Sequence, residues 1–235
     1  ILIILLVVAQ VMRRDPDEMD LLPNGGNDRP WEPGSNRECG IPLKAAVRMG
    51  QFWIMCLAEF IIFFCLLTII VHIVPHATDL GLPLTAAAGV LSTIGGVSMI
   101  GRIVMGATID RIAGKRSLII CFVVLLCGLL WLQVAKEIWM LYLFAMIYGF
   151  AHGGFFTVVS PTLAELFGMG SHGVLFGSVL FSGTIGGAVG PLLAGSIFDV
   201  VGSYRIVFLL QTGLGLTGLL LITILRPLQG SQLVR

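Results

Sequence analysis

The chain has 235 residues, 57% of them hydrophobic and 11% charged, with a net charge of +1. A water-soluble domain carries about 25% charged residues, so this chain has too few to cover a surface facing water. The near-neutral balance also argues against nucleic acid or any other polyanion as a partner.

Uncharged runs locate the apolar residues: 60–78, 80–101, 117–135, 138–164, 166–198 and 206–225. They approach or exceed the ~20 residues that carry a helix across a hydrocarbon core of ~30 Å. Backbone groups in lipid must bond within their own segment, so the runs are expected as helices. Strands of a membrane barrel would instead give alternating segments of about ten residues.

In chain order, residues 1–12 are apolar apart from Gln10. They are too short to span and have no basic leader. They are expected to be the end of a preceding transmembrane helix, which makes the chain the second part of a longer one. Residues 13–45 form the polar stretch, with most of the prolines and acids of the N-terminal region, and are expected as a linker. A six-helix bundle is expected over 46–226, with spans near 46–75, 84–108, 117–135, 138–163, 172–198 and 204–226. Residues 227–235 form a tail. The five cysteines, Cys39, Cys56, Cys65, Cys121 and Cys127, contain no CxxC pair and read as apolar packing residues rather than a disulfide or zinc framework.

The cations sort by alternate loops. Arg13, Arg14, Arg29, Arg37, Lys44, Arg48, Arg102, Arg111, Lys115, Arg116, Arg226 and Arg235 fall on one side, and Lys136 and Arg205 on the other. Positive charge is retained on the cytoplasmic face, which predicts a cytoplasmic linker, 109–116 loop, 164–171 loop and C-terminus. An internal repeat accompanies this. Gly101, Gly106 and Asp110 close the second span in the same frame as Gly190, Gly195 and Asp199 close the fifth. Those two spans run in opposite directions, as two inverted three-helix repeats require.

Gly106-x-x-x-Asp110-Arg111 followed by Gly114-Lys115-Arg116 resembles the cytoplasmic signature loop of the major facilitator superfamily, G-x-x-x-D-R-x-G-R-R/K. Here Ala113 stands at the usual glycine, and the glycine comes one residue later. Gly177-x8-Gly186-x3-Gly190-Pro191-x2-Ala194-Gly195 resembles the superfamily's glycine–proline helix motif, with Ala194 replacing one glycine. The stretches VHIVPHATDLGL, GRIVMGATIDR, SPTLAELFG and FDVVGSYR resemble the monocarboxylate and oxalate–formate branch. The resemblance implies an all-α integral membrane fold, the C-terminal six-helix half of a twelve-helix transporter. The missing N-terminal half would be its partner, in a cell membrane. Its implied function is secondary active transport by alternating access, of a small organic anion resembling a monocarboxylate, by proton symport or anion exchange. A neutral or cationic solute, or a non-transporting sensor or scaffold with the same fold, is the alternative.

Arg102 is the sharpest candidate residue. It lies eight residues before Asp110, about 12 Å deeper along a helix, where an ionisable group needs a cavity, a partner or the interface. Three roles fit: a ligand for a carboxylate substrate, a snorkelling cation, or one member of an ion pair. Transporters resembling this branch use an arginine here and often carry Asp one turn earlier. This chain has Ser98 there, a second candidate substrate contact. Glu59, inside the first span, is a possible proton or ion-pair site, with pairing to another helix preferred. His152, among Gly149, Gly153 and Gly154, contacts substrate, senses protons or packs. His72 and His76 are expected at the interface and His172 in solvent.

Asp110, Arg111, Lys115 and Arg116 are expected as a conformational latch. Gly186, Gly190, Pro191 and Gly195 are expected as a packing stripe or hinge, since small residues let helices approach and proline removes a backbone donor. No nucleophile–base or metal-ligand spacing occurs, so neither an enzyme site, a metal nor a cofactor is expected.

Overall fold

The computed structural model describes residues 40–225. The expectations for residues 1–12, for nearly all of 13–45 and for 227–235 lie outside the described residues. The described residues form one short helix, α1 (Leu43–Ala46), and six long ones: α2 (Gly50–Asp79), α3 (Leu84–Ile109), α4 (Gly114–Leu132), α5 (Ile138–Phe167), α6 (His172–Val201) and α7 (Arg205–Ile224). All six long helices are long and apolar enough to cross a membrane. The chain is an integral membrane protein. Helices α2, α5 and α6 have 30 residues each, about 45 Å at 1.5 Å per residue, so they tilt within the bilayer or project beyond it.

The helix ends follow local chemistry. Pro83 precedes α3 in an extended conformation, where its missing N–H costs nothing. Gly168 (φ 78°) ends α5 and Gly202 (φ 68°) ends α6, both with backbone that a side chain disfavours. The fourth span, expected to stop at 163, continues to Phe167. The charge of Glu165 looks like an end in the sequence, but its carboxylate is spent on a neighbouring helix, as described below.

Helices α2 and α5 hold the centre. The largest buried side chains include Tyr148, Phe144 and Phe155 of α5 and Met55, Ile61 and Ile62 of α2. The two are linked where the Tyr148 hydroxyl donates to the Leu66 carbonyl at 2.7 Å. The two most extensive helix interfaces are α3 with α5 and α2 with α6. Treating α2–α4 and α5–α7 as two units, each interface joins the second helix of one unit to the first helix of the other. The two units are thus exchanged by a pseudo-two-fold operation, the architecture of inverted repeats.

The repeat glycines sit at equivalent contacts. A Cβ on Gly101 would press on the Phe150 carbonyl oxygen of α5 and stand 3.1 Å from its carbonyl carbon, and one on Gly190 would stand 2.7 Å from the Phe64 carbonyl oxygen of α2. Gly106 and Gly195, the second pair of the repeat, are both loose, with nearest neighbours at 3.5 and 3.9 Å. The symmetry therefore extends to which glycine is required and which is not.

Candidate functional site

The buried face of α3, from Ala87 through Ile94, Ser98 and Gly101 to Met105, points at α5. Arg102 follows Gly101 and is exposed on the adjoining face. Its guanidinium carbon lies 5.3 Å from the centroid of the Phe156 ring on α5, within the range of a cation–π contact. The residues one turn away on its own helix are Ser98, Met99, Met105 and Gly106, none of them a carboxylate.

Ser98 is placed differently. It is buried, its hydroxyl donates to the Gly95 carbonyl at 2.7 Å, and its backbone lies against Gly153. It seats the Arg102 helix on α5 and has no hydrogen left for a ligand in this arrangement.

His152 stands one turn before Phe156, with ring centroids 5.2 Å apart, and 6.1 Å from Tyr148. It stands one turn from the ring that contacts Arg102, and its Nδ1 is buried without a hydrogen-bond partner among the described residues. Phe156 also meets Phe63 of α2 edge-on at 5.6 Å. Behind these two rings, Phe63 and Phe156 border a small cavity that contains Glu59. The Oε2 of Glu59 has no hydrogen-bond partner among the described residues. One connected group thus joins Arg102, His152, Phe156, Phe63 and Glu59, drawn from α2, α3 and α5. Neither phenylalanine stands out in the sequence, where both are ordinary members of apolar runs.

At the α3–α4 end, Asp110, Arg111 and Arg116 are exposed. Lys115 differs: its Nζ donates to the carbonyls of Thr223 and Leu225 at 2.7 and 2.6 Å. It caps α7, where carbonyls lack helical partners and a cation is favourable. The Gly114 N–H donates to Glu165 Oε2 at 2.8 Å, so a carboxylate from α5 caps the start of α4. The displaced glycine of the loop has a reason. A Cβ at position 114 would stand 2.8 Å from the Thr162 Cα. Glu165 was missed in the sequence because its partner is a backbone amide 51 residues away.

Gly186 and Gly190 carry the α2–α6 contact. A Cβ on Gly186 would stand 2.9 Å from the Phe60 carbonyl carbon. Pro191 lies within the continuous helix α6, and its carbonyl accepts from His72 Nε2 at 3.0 Å. A carbonyl only accepts, so Nε2 bears the hydrogen, and Nδ1 accepts from the Tyr204 hydroxyl at 3.2 Å. His72 is therefore a buried bridge between α2, α6 and the start of α7, not the interfacial residue expected. Its two partners come from distant segments, so only the fold brings them together. His172 is likewise not free in solvent: its Nε2 pairs with Ser160 Oγ at 3.1 Å, and its ring stacks on Phe176.

A six-helix unit of two inverted repeats, with an arginine on one face and a glycine stripe joining its repeats, defines one half of a secondary-transporter fold. Residues 1–132 and 97–234 match the sequence pattern of the Major Facilitator Superfamily, and the chain belongs to that family. It is 29% identical over 166 residues to monocarboxylate transporter 12 of Rattus norvegicus, covering 69% of this chain and 34% of the relative. It is 31% identical over 150 residues to monocarboxylate transporter 13 of the same species, covering 63% of this chain and 35% of the relative. The chain thus spans about a third of the length of these relatives, which are transporters rather than enzymes. Its fold is similar to that of the E. coli fucose:proton symporter, with TM-score 0.65 and 16% identity, over 79% of this chain and 46% of that one.

Proposed function

We propose that this chain is the C-terminal half of a secondary active transporter that carries a small organic anion by alternating access. The carrying observation is Arg102: an exposed guanidinium within a helix long and apolar enough to cross a membrane, set against an aromatic ring and with no carboxylate one turn away on its own helix. An arginine keeps its charge in any environment and can grip a carboxylate through two parallel hydrogen bonds. The likeness to monocarboxylate transporters 12 and 13 supports this substrate class. His152 completes the anion's surroundings, and Ser98 holds the backbone beneath it.

The face bearing Arg102 also exposes Met99 and Ile103. A second six-helix half covering it would close a site near the middle of the membrane, around which the two halves rock. The basic end, with Arg111, Lys115 and Arg116, faces the cytoplasm of a cell whose plasma membrane houses the protein. There Asp110, Arg111 and Arg116 meet the other half as a latch.

The test is counterflow of labelled lactate, oxalate and formate in proteoliposomes holding the complete transporter, with and without Arg102→Lys. Exchange of one of these anions that the lysine variant loses while still folding supports the reading. A wild-type protein that exchanges none of them, or a variant that matches it, points to a neutral or cationic solute or to a non-transporting role. The described six-helix unit reconstituted alone is expected to show no saturable uptake.

A further inference from the structure

Two cations stand apart from the rest in the alternate-loop count: Lys136 and Arg205. Distant in the chain, they line one cavity of about 630 Å³ in the fold. It lies at the end of the bundle opposite the α3–α4 loop, where α2 and α6 stop, α4 runs into α5 and α7 begins. Arg102, His152 and Phe156 are not in its lining, so it is separate from the site described above. In the proposed orientation this end faces away from the cytoplasm, where the charge bias of membrane proteins disfavours lysine and arginine. The two exceptions to that bias meet at one place.

The cavity gathers further donors. Gln133, at the end of α4, and His76, in the last turn of α2, both border it. Each has an Nε2 atom buried without a hydrogen-bond partner among the described residues. An amide N–H left unpaired is costly, so Gln133 gains by turning to an acceptor in the cavity. The Lys136 ammonium and the Arg205 guanidinium, both on exposed residues, supply charged donors. Asp79 is the one carboxylate of the lining. Two cations against it leave a surplus of one positive charge. Tyr204 also borders the cavity, but its hydroxyl is already given to His72 at 3.2 Å.

These features narrow the ligand. The volume falls in the ~300–1,000 Å³ range of small-molecule sites and holds far more than a three-carbon acid. A carboxylate offers two oxygens in one plane, and one guanidinium satisfies it. A phosphate offers more acceptor oxygens and more charge, which matches donors arriving from α4, the α4–α5 loop and the start of α7. Asp79 can accept from a hydroxyl or ammonium beside the phosphate, which favours an ester over the bare ion. We propose that this cavity binds a phosphate ester, its phosphate held by Lys136, Arg205 and Gln133 and its hydroxyl or ammonium by Asp79. Two sources share that chemistry: a soluble ester entering from the aqueous side, and the headgroup of a phospholipid. Either one ties the ends of α2, α4 and α7 together, so occupancy raises the unfolding temperature.

The test uses the complete protein, stripped of lipid in a maltoside detergent that carries no phosphate. It is titrated with glycerol 3-phosphate and, separately, with short-chain phosphatidylglycerol. Unfolding temperature and native mass spectra are read for wild type, for Lys136→Gln combined with Arg205→Gln, and for Lys44→Gln combined with Arg48→Gln. The last variant removes two exposed cations at the other end of the bundle and controls for a general loss of charge. Wild type and the control should bind at least one probe, with a Kd that the Lys136/Arg205 variant raises about tenfold or more. Binding of glycerol 3-phosphate supports a soluble ligand, and binding of the lipid alone supports a headgroup. Neither probe binding to wild type, equal binding by the Lys136/Arg205 variant, or an equal loss in the control overturns the proposal. Gln133→Glu, a single change that sets a carboxylate against the phosphate, should also weaken binding, and unchanged binding there overturns the proposal even if the double variant fails to fold. The titration measures binding without transport, so its result does not depend on Arg102 carrying an anion.

Discussion

The guanidinium of Arg102 and the ring of Phe156, on different helices, form one contact at 5.3 Å. Such a contact contributes about 0.5–2 kcal/mol depending on how dry it is. If the ring and a substrate carboxylate share the guanidinium, removing the ring should release that competition. Phe156→Leu, which keeps an apolar side chain against Phe63, is expected to lower the half-saturation concentration for anion counterflow about twofold to tenfold. Arg102→Lys keeps the charge but loses the paired donors, and should raise it. A Phe156→Leu variant that weakens anion binding would show that the ring orients the arginine rather than competing for it.

The four charges of the expected latch fall into two groups. Lys115 is engaged within this half at the end of α7, whereas Asp110, Arg111 and Arg116 are exposed. Lys115→Met should therefore destabilise the folded protein by about 0.5–1.5 kcal/mol, the net worth of hydrogen bonds to partly exposed carbonyls. Arg111→Met and Arg116→Met should leave stability nearly unchanged and alter transport rate instead. Thermal unfolding in detergent, read beside initial uptake rates, separates the two. Equal stability losses across the three variants would contradict this division.

The membrane spans are legible in the sequence because charge is scarce: each uncharged run became one helix, and Arg102 stood out as a cation inside such a run. The inverted repeat is legible for a different reason, since Gly101 and Gly190 are needed at equivalent backbone contacts. Residues that depend on a partner far away in the chain were not legible. Phe156 and Phe63 are two of many apolar residues until the fold lays them between Arg102 and Glu59. Glu165 looks like a loop charge until α4 starts beside it. His72 looks like an interfacial histidine until Pro191 and Tyr204, more than 100 residues away, arrive at its two nitrogens.

The glycines should divide by contact rather than by motif. Gly190→Ala places a methyl 2.7 Å from the Phe64 carbonyl oxygen, and Gly186→Ala places one 2.9 Å from the Phe60 carbonyl carbon. Both neighbours are backbone and cannot turn aside, so α2 and α6 must separate, at a cost of about 1–3 kcal/mol. Gly106→Ala and Gly195→Ala meet neighbours at ordinary distances and should be tolerated, although both belong to the repeat. Size-exclusion profiles and unfolding temperatures of the four variants would check this. Equal loss at Gly195 and Gly190 would mean that the motif matters for something other than packing.

Glu165 caps the first turn of α4 through the Gly114 N–H, where a carboxylate also meets the favourable end of the helix dipole. Glu165→Gln retains an acceptor oxygen but loses the charge, and should cost about 0.3–1 kcal/mol. Glu165→Ala removes the acceptor as well and should cost about 1–2 kcal/mol. The order alanine, then glutamine, then wild type in rising unfolding temperature is the expected result. Glutamine as damaging as alanine would assign the whole effect to charge.

His72 makes two hydrogen bonds with opposite roles, donating to Pro191 and accepting from Tyr204. Tyr204→Phe removes one donor and keeps the ring that stacks on Phe198 at 4.3 Å, so it should cost about 0.5–1.5 kcal/mol. His72→Ala severs both bonds and leaves a gap beside α6, and should cost more, about 2–4 kcal/mol. In the double variant the bond between the two residues is lost only once. Its cost should fall short of the sum of the single costs by about 0.5–1.5 kcal/mol. Simple additivity would mean that the two side chains stabilise the α2–α6 contact independently, and that the hydroxyl is not held by His72. A shortfall within that range would establish His72 as the tie between the proline of α6 and the start of α7. A hinge at Pro191 would then have to break or carry that tie whenever the helix bends.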